Sequence, residues 1–286
     1  MNENLAVDIN NKNNDYYKTH TLRAIRANSE FAYLADEWIT DYYSVQTSFL
    51  NACKATIFAC HNETVNVWIH ALGGLYFLWN GVVIAIRATT SSSPYLAVYC
   101  FTAWVCFFSS ALSHIVVGLG KEKYDRFSRV DYAGISFQLW GSVMALNQVA
   151  LVQAEYIHLL TSSITLCTTA TLATLMFTII PELSKVKSLR VGVYSTAACS
   201  AFIPLYSARN EPHVANYIEH VLPWMIVVYL IGIFFYVSRY PERLHPAKFD
   251  RFLSSHNFWH FFVWLGSYLH FHGLIQMDQE FISKNI

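Results

Sequence analysis

The chain has 286 residues and a formal net charge of zero, with 54% hydrophobic, 16% aromatic and 13% charged residues. Ordinary soluble domains carry roughly 25% charged residues, so this composition indicates a membrane protein. The balanced charge gives no support to nucleic-acid binding.

The N-terminal segment is polar and rich in asparagine. Residues 1–15 have neither the cationic start nor the apolar core of a cleaved signal peptide. We therefore expect residues 1–30 to form a disordered cytoplasmic tail. Residues 31–286 are expected to form one membrane domain that begins with a juxtamembrane segment.

Apolar stretches of about 20 residues can cross the roughly 30 Å of hydrocarbon in a bilayer as helices. Such stretches occur at residues 68–86, 95–117, 131–151, 157–180, 191–207, 218–238 and 256–275. The fifth is the least regular, because Pro204 and Tyr206 lie near its end. The sequence thus predicts an all-α polytopic membrane protein, a bundle of seven transmembrane helices.

The orientation follows from the lysine and arginine residues, which remain on the cytoplasmic side during membrane insertion. If the N-terminus is cytoplasmic, the cytoplasmic segments hold 16 of the 19 basic residues. The opposite side then holds only Arg87, Arg209 and Lys284. This bias predicts a cytoplasmic N-terminus and a C-terminus outside.

Four potential metal ligands fall at the cytoplasmic ends of predicted spans. His114 ends the second span, Asp131 begins the third, and His256 and His260 begin the seventh. Residues four apart on a helix share a face, so His256 and His260 can reach one ion, and Ser110 lies one turn from His114. Three neutral imidazoles with a water molecule are typical of a catalytic zinc site. Asp131 could then orient or deprotonate that water.

Other roles for these residues remain open. Histidines near a membrane interface often act as amphipathic anchors or as hydrogen-bonding residues between helices, and a His-x-x-x-His pair arises readily by chance. Asp131 could instead cap the N-terminus of the third span. A zincin-type metalloprotease is excluded, because Asn257 follows His256 where that motif requires glutamate.

A second polar stretch runs from His61 to His70. If it is helical, Glu63, Asn66 and His70 lie on one face, which suggests hydrogen bonds between helices or the lining of a polar cavity. The alternative is a simple interfacial start of the first span, with Trp68 as an aromatic anchor.

Five ordered motifs resemble the progestin and adipoQ receptor family. They are His61-Asn-Glu-Thr-Val-Asn-Val-Trp-x-His70, Ser110-x-x-x-His114, Asp131-Tyr-x-Gly134, Pro241-Glu-Arg-x-x-Pro246-x-Lys-Phe-Asp250 and His256-x-x-x-His260. The family is similar to alkaline ceramidases and hemolysin III proteins. The first and third motifs resemble the membrane progestin receptor branch more than the adiponectin receptor branch.

The resemblance implies seven helices, a cytoplasmic N-terminus, a zinc ion near the cytoplasmic side and ceramidase activity. At the matching positions it implies that His114, His256 and His260 hold zinc, and that Asp131 and Ser110 lie near the metal-bound water. Residues 36–43 read DEWITDYY and lack the glycine and arginine that the family usually has there. This departure leaves the specificity for ligand or partner open.

The motifs and the family resemblance lead us to expect one of two functions. The chain is expected to be a receptor in lipid or steroid signalling that acts through zinc-dependent hydrolysis of ceramide. The alternative is a non-catalytic receptor or a regulator of membrane-lipid homeostasis with a structural zinc. The expected partners are the lipid bilayer, a sphingolipid, fatty acid or steroid-like ligand and an extracellular protein ligand, in the plasma membrane or in endomembranes such as the ER or Golgi.

Overall fold

The computed structural model describes residues 18–153, 155–180, 183 and 186–285. The described chain divides into two compact units. The first unit contains residues 18–71, Ser109–Val130 and Leu230–Val263. The second contains the described parts of Leu72–Phe108, Asp131–Tyr229 and Trp264–Ile286.

The N-terminal part of the first unit is a small folded segment rather than a tail. Its elements are strand β1 Thr19–His20, helix α1 Leu22–Ala27, a 3₁₀ turn Ala32–Leu34, strand β2 Tyr43–Ser44 and helix α2 Phe49–Phe58. The two strands pair antiparallel, with Thr19 opposite Ser44. The hydroxyl of Thr21 caps α1 by accepting a hydrogen bond from the N–H of Ala24 at 3.2 Å.

An apolar cluster explains why this segment folds. Ile25 of α1 is fully buried and belongs to one cluster with Phe31, Ile39 and Tyr43. Residues 18–30 therefore differ from the disordered tail predicted for residues 1–30, whereas residues 1–17 lie outside the described residues.

Longer helices make up most of the remaining chain. They are α3 Thr64–Arg87, α4 Ser93–Val116, α5 Lys121–Asn147, α6 Ile157–Ile179, α7 Lys187–Ala198, α8 Phe202–Ser207, α9 Pro212–His220, α10 Leu222–Ser238 and α11 Ser255–Asn285. A π-helical turn, Gln148–Val152, continues α5, and a 3₁₀ turn, Cys199–Ala201, joins α7 to α8.

Within the described residues, five helical segments are long and apolar enough to cross a membrane. They are Thr64–Arg87, Ser93–Val116, Lys121–Val152, Ile157–Ile179 and Pro212–Ser238. These segments coincide with the first, second, third, fourth and sixth predicted spans. The chain is therefore a multi-pass membrane protein of the all-α class, as predicted.

The other two predicted spans differ from these five. Residues 191–207 form no continuous α-helix, because α7 passes through the 3₁₀ turn into the short helix α8. Helix α11 has 31 residues, which is long enough to span, but its four histidines make it less apolar than the five segments. The total of seven spans thus stays a prediction.

Aromatic rings fill the core of the second unit. Phe77 of α3 stacks on Phe107 of α4 with ring centroids 5.6 Å apart, and Tyr99 stacks on Phe271 of α11 at 5.8 Å. All four side chains are almost fully buried. They hold α3, α4 and α11 together within this unit, and the same three helices carry the polar residues of the first unit.

Candidate metal centre

Three predicted ligands meet in the first unit. His114 lies near the C-terminal end of α4, and His256 and His260 lie in the first two turns of α11. One ligand atom from each of the three residues lies within 4.8 Å of the others. The ring centroids are 4.5 Å apart for His256 and His260, 4.7 Å for His114 and His260, and 5.2 Å for His114 and His256. The structure therefore confirms that these histidines form a cluster that could hold a metal ion.

Glu63 orients the first of these histidines. Nδ1 of His114 lies 2.8 Å from Oε2 of Glu63, at hydrogen-bonding distance. Burial opposes the negative charge of Glu63, but the hydrogen bond and charge of His114, the charge of His256 and the hydrogen bond from Asn66 outweigh it. Together they lower the pKa of Glu63 to about 2. An ionised Glu63 only accepts hydrogen bonds, so His114 donates from Nδ1, and in its neutral form its lone pair lies on Nε2.

His260 is the most deeply buried histidine of the cluster, with 3% of its surface exposed. Its Nδ1 lies 2.7 Å from Nε2 of His70 on α3. Its Nε2 is buried and has no hydrogen-bond partner among the described residues. A buried polar atom without a partner costs about 1–3 kcal/mol. A metal ion would satisfy this atom, so the residues present fit a metal site.

Asn66 links α3 to the start of α11. Its Nδ2 donates to Oε2 of Glu63 at 2.7 Å, and its Oδ1 accepts from Nδ2 of Asn257 at 2.6 Å. Both asparagines are buried, and Asn257 is adjacent to the ligand His256. The predicted stripe of Glu63, Asn66 and His70 is thus confirmed as a set of hydrogen bonds between helices.

The two predicted catalytic residues lie in different units. Ser110 is buried on α4, four residues before His114, in the same unit as the histidines. Asp131 is half-buried on α5 and belongs to the second unit, so its role at the metal site stays a prediction. The capping alternative for Asp131 is wrong, because α5 begins at Lys121 and Asp131 is its eleventh residue.

Sequence reasoning predicted the three histidines of the cluster but not their immediate partners. The spacing of Glu63, Asn66 and His70 indicated a shared face, yet it did not indicate which residues that face contacts. The donor set of three imidazoles suits zinc and also copper, iron and nickel. Neutral imidazole is the form that binds metal.

Long apolar helices and a cluster of three histidines define the chain as a multi-pass membrane protein with a candidate metal centre. Residues 58–271 match the model of the Haemolysin-III related family. The chain belongs to that family, and the matched region contains all three histidines, Ser110 and Asp131.

Known relatives include receptors from animals. The chain is 28% identical over 240 residues to the Adiponectin receptor protein of Drosophila melanogaster, which covers 79% of this chain and 53% of the relative. It is 30% identical over 228 residues to Membrane progestin receptor alpha of Cynoscion nebulosus, covering 73% of this chain and 63% of the relative. The chain thus spans about half the length of the Drosophila protein.

A plant relative covers more of both chains. Heptahelical transmembrane protein 1 of Arabidopsis thaliana is 29% identical over 260 residues, which is 84% of this chain and 76% of the relative. The relatives confirm the predicted resemblance to the progestin and adipoQ receptor family. They carry names from both branches at nearly equal identity, so the nearer likeness to the progestin branch stays a prediction.

Proposed function

We propose that this protein is a receptor-like membrane protein with a zinc centre near the cytoplasmic face, and that it hydrolyses the amide bond of ceramide-type lipids in lipid or steroid signalling. The observation that carries this proposal is the cluster of His114, His256 and His260, with its ligand atoms within 4.8 Å and Nε2 of His260 buried without a partner among the described residues. Water and ceramide would give a fatty acid and a sphingoid base.

Three neutral histidines form the protein part of many catalytic zinc sites, which keep a fourth position open. A zinc ion held there would supply Lewis-acid chemistry, which polarises a carbonyl group and lowers the pKa of water from 15.7 to about 7. The protein's own contribution begins with Glu63, which holds the Nδ1 proton of His114.

Asp131 and Ser110 are the proposed acid–base and polar partners of the reaction. The carboxylate of Asp131 would accept a proton from water and deliver it to the amide nitrogen that leaves. The hydroxyl of Ser110, one turn from His114, would add a hydrogen-bonding group near the metal. The apolar faces of the spanning helices would hold the acyl chain in hydrocarbon.

The alternative function is a non-catalytic receptor or a regulator of membrane-lipid homeostasis with a structural zinc. Deep burial of His260 favours it, because structural zinc sites are closed. The printed names of the Drosophila and Cynoscion relatives are also receptor names. The ligand in this case would be a sphingolipid, a fatty acid, a steroid-like molecule or an extracellular protein.

One experiment separates these functions. The full chain is purified in detergent, its metal content is measured by elemental analysis, and release of a labelled fatty acid from ceramide is followed by mass spectrometry. The hydrolase proposal predicts zinc together with release above that of His256→Ala. Zinc without release would overturn the hydrolase and leave the structural zinc. Protein without metal, even after incubation with zinc, would overturn both.

A further inference from the structure

We propose that the α3 polar face, formed by Glu63 directly before α3 and by Asn66 and His70 on α3, positions His114 and His260 by fixing which ring nitrogen of each carries the lone pair that can bind metal. This inference rests on the metal site of the proposed function and concerns residues that are not themselves ligands. The three residues lie at spacings of three and four, so Glu63, directly before α3, and Asn66 and His70, in its first two turns, lie on one side.

Glu63 fixes the tautomer of His114. A neutral imidazole carries one N–H and one lone pair, and the partner of the first nitrogen determines which nitrogen can bind metal. The carboxylate of Glu63 lies 2.8 Å from Nδ1 of His114, so it holds the proton on Nδ1 and leaves Nε2 for the metal. A hydrogen bond to a charged acceptor is about twice as strong as a neutral one, and it makes the opposite nitrogen a better ligand.

His70 fixes the tautomer of His260 in the same way. The two rings meet edge to face with centroids 3.9 Å apart, and Nδ1 of His260 lies 2.7 Å from Nε2 of His70. We assign Nδ1 of His260 as the donor and His70 as the acceptor. This assignment leaves the lone pair on Nε2 of His260, the buried atom without a hydrogen-bond partner among the described residues.

Asn66 connects Glu63 to the start of α11 through hydrogen bonds. It donates to the same Oε2 of Glu63 that contacts His114, and it accepts from Asn257, the residue that follows His256. A shift of α3 against α11 would break the hydrogen bond between Asn66 and Asn257. The α3 polar face therefore helps to set the position of α11 as well as the tautomers of His114 and His260.

Metal affinity and ligand geometry test this proposal without any assay of lipid hydrolysis. Zinc and cobalt(II) are titrated into metal-free full-length protein and into Glu63→Gln and Glu63→Ala. Loss of such a partner of a metal-bound histidine typically weakens binding about 10–100-fold, so we expect Glu63→Ala to bind zinc about 10–100-fold more weakly. Glu63→Gln should lose less, because its amide oxygen can still accept the proton of Nδ1.

The cobalt spectrum distinguishes a positioning residue from a ligand. Glu63→Gln at full occupancy should keep the wavelengths and intensities of the wild-type cobalt bands, since the three histidines remain the ligands. A shift of these bands to another coordination would make Glu63 a ligand and overturn the proposal. His70→Gln should weaken metal binding while also keeping the bands.

Matched controls come from the same unit. Glu122 is an exposed glutamate that pairs with Arg126, and His245 is an exposed histidine. Glu122→Gln and His245→Gln should bind zinc as the wild type does. Thermal unfolding of each metal-free variant measures any general loss of folding, which would lower stability without a selective change in metal affinity.

The outcomes separate this inference from the proposed function. Tight zinc binding by Glu63→Ala and His70→Gln would overturn the positioning role and leave the hydrolase proposal standing. Weakened binding by these variants, with no fatty-acid release by the wild type, would support the positioning role and overturn the hydrolase. Wild-type protein that binds no metal would overturn both.

Discussion

The carboxylate of Glu242 accepts hydrogen bonds from both the backbone N–H and the hydroxyl of Ser255, the first residue of α11. The N–H bond is 2.7 Å long, and Glu242 is almost fully buried. The first N–H groups of a helix have no partner within the helix, and a negative charge there is favoured by the helix dipole. Glu242 thus fixes the start of α11 one residue before His256.

Replacing Glu242 should therefore loosen the start of α11. We expect Glu242→Gln to lower the free energy of unfolding by about 1.5–3 kcal/mol, the usual value of a hydrogen bond to a charged group. Thermal unfolding in detergent measures the change. Glu122→Gln, at an exposed pair, should leave the unfolding temperature unchanged. Equal unfolding temperatures for the Glu242 variant and the wild type would contradict the assigned role.

Removal of one ligand should remove the metal. We expect the wild type to hold about one zinc ion per chain, and His256→Ala or His260→Ala to hold none, because two imidazoles leave the site incomplete. Elemental analysis of purified protein measures this. His245→Ala, outside the cluster, should keep the wild-type metal content.

Metal removal should also destabilise the wild type selectively. A ligand that binds only the folded state stabilises it by about 2.7 kcal/mol at 100 times its dissociation constant. A chelator should therefore lower the unfolding temperature of the wild type and leave that of metal-free His260→Ala unchanged. A chelator effect of equal size on both proteins would exclude the cluster as the source of stabilisation.

Asp250 holds Thr40 and Asp41, which lie before the first predicted span, in place through hydrogen bonds. It is buried, and its Oδ2 accepts hydrogen bonds from Thr40 N–H at 3.1 Å, Thr40 Oγ1 at 2.9 Å and Asp41 N–H at 2.8 Å. Asp250→Ala leaves three donors without this acceptor. We expect faster hydrogen–deuterium exchange in peptides that cover residues 36–46, whereas Asp125→Ala, at an exposed pair with Lys121, should leave their exchange unchanged.

The orientation can be tested with terminal tags. Because 16 of 19 basic residues fall on one side of the predicted spans, a tag at Met1 should be reached by antibody only after cells are permeabilised. A tag at Ile286 should be reached without permeabilisation. The reverse pattern would contradict the topology and the cytoplasmic position of the metal site.

Local patterns in the sequence predicted the three histidines of the cluster and the five apolar helices that are long enough to span a membrane. Apolar length identifies a spanning helix, and a spacing of four places His256 and His260 on one face. The helix that contains the third predicted span begins at Lys121, ten residues before that span, whose predicted start excluded residues 121–130 because they are too charged for hydrocarbon. They are nevertheless helical, with pairs four residues apart between Lys121 and Asp125 and between Glu122 and Arg126.

Contacts between distant parts of the sequence were not predictable in the same way. The hydroxyl of Tyr33 donates to the backbone oxygen of Val117 at 2.8 Å, and Asp250 binds residues about two hundred positions earlier. These contacts pack residues 18–58 against the other parts of the first unit, although residues 18–30 were predicted to belong to a disordered tail. The partnership of Glu63 with His114 is non-local for the same reason, since only the fold brings α3 beside the end of α4.

The last prediction separates hydrolase from receptor. We expect Asp131→Asn to keep zinc and the wild-type unfolding temperature, because asparagine preserves the size of aspartate and most of its hydrogen bonding. Fatty-acid release from ceramide should fall about 10²–10⁴-fold, the usual loss when an acid–base group is removed. Zinc content, thermal unfolding and fatty-acid release are measured on the same preparation.

Asp125→Asn provides the matched control, since Asp125 lies on the same helix and forms an exposed pair with Lys121. It should hydrolyse ceramide at the wild-type rate. A residue that only supports α5 would change the unfolding temperature without a selective loss of rate. If Asp131→Asn, with full zinc occupancy, hydrolyses ceramide as fast as the wild type, the acid–base role of Asp131 is wrong. Zinc would then be structural if the wild type also shows no hydrolysis above the His256→Ala background, and the non-catalytic receptor would replace the hydrolase.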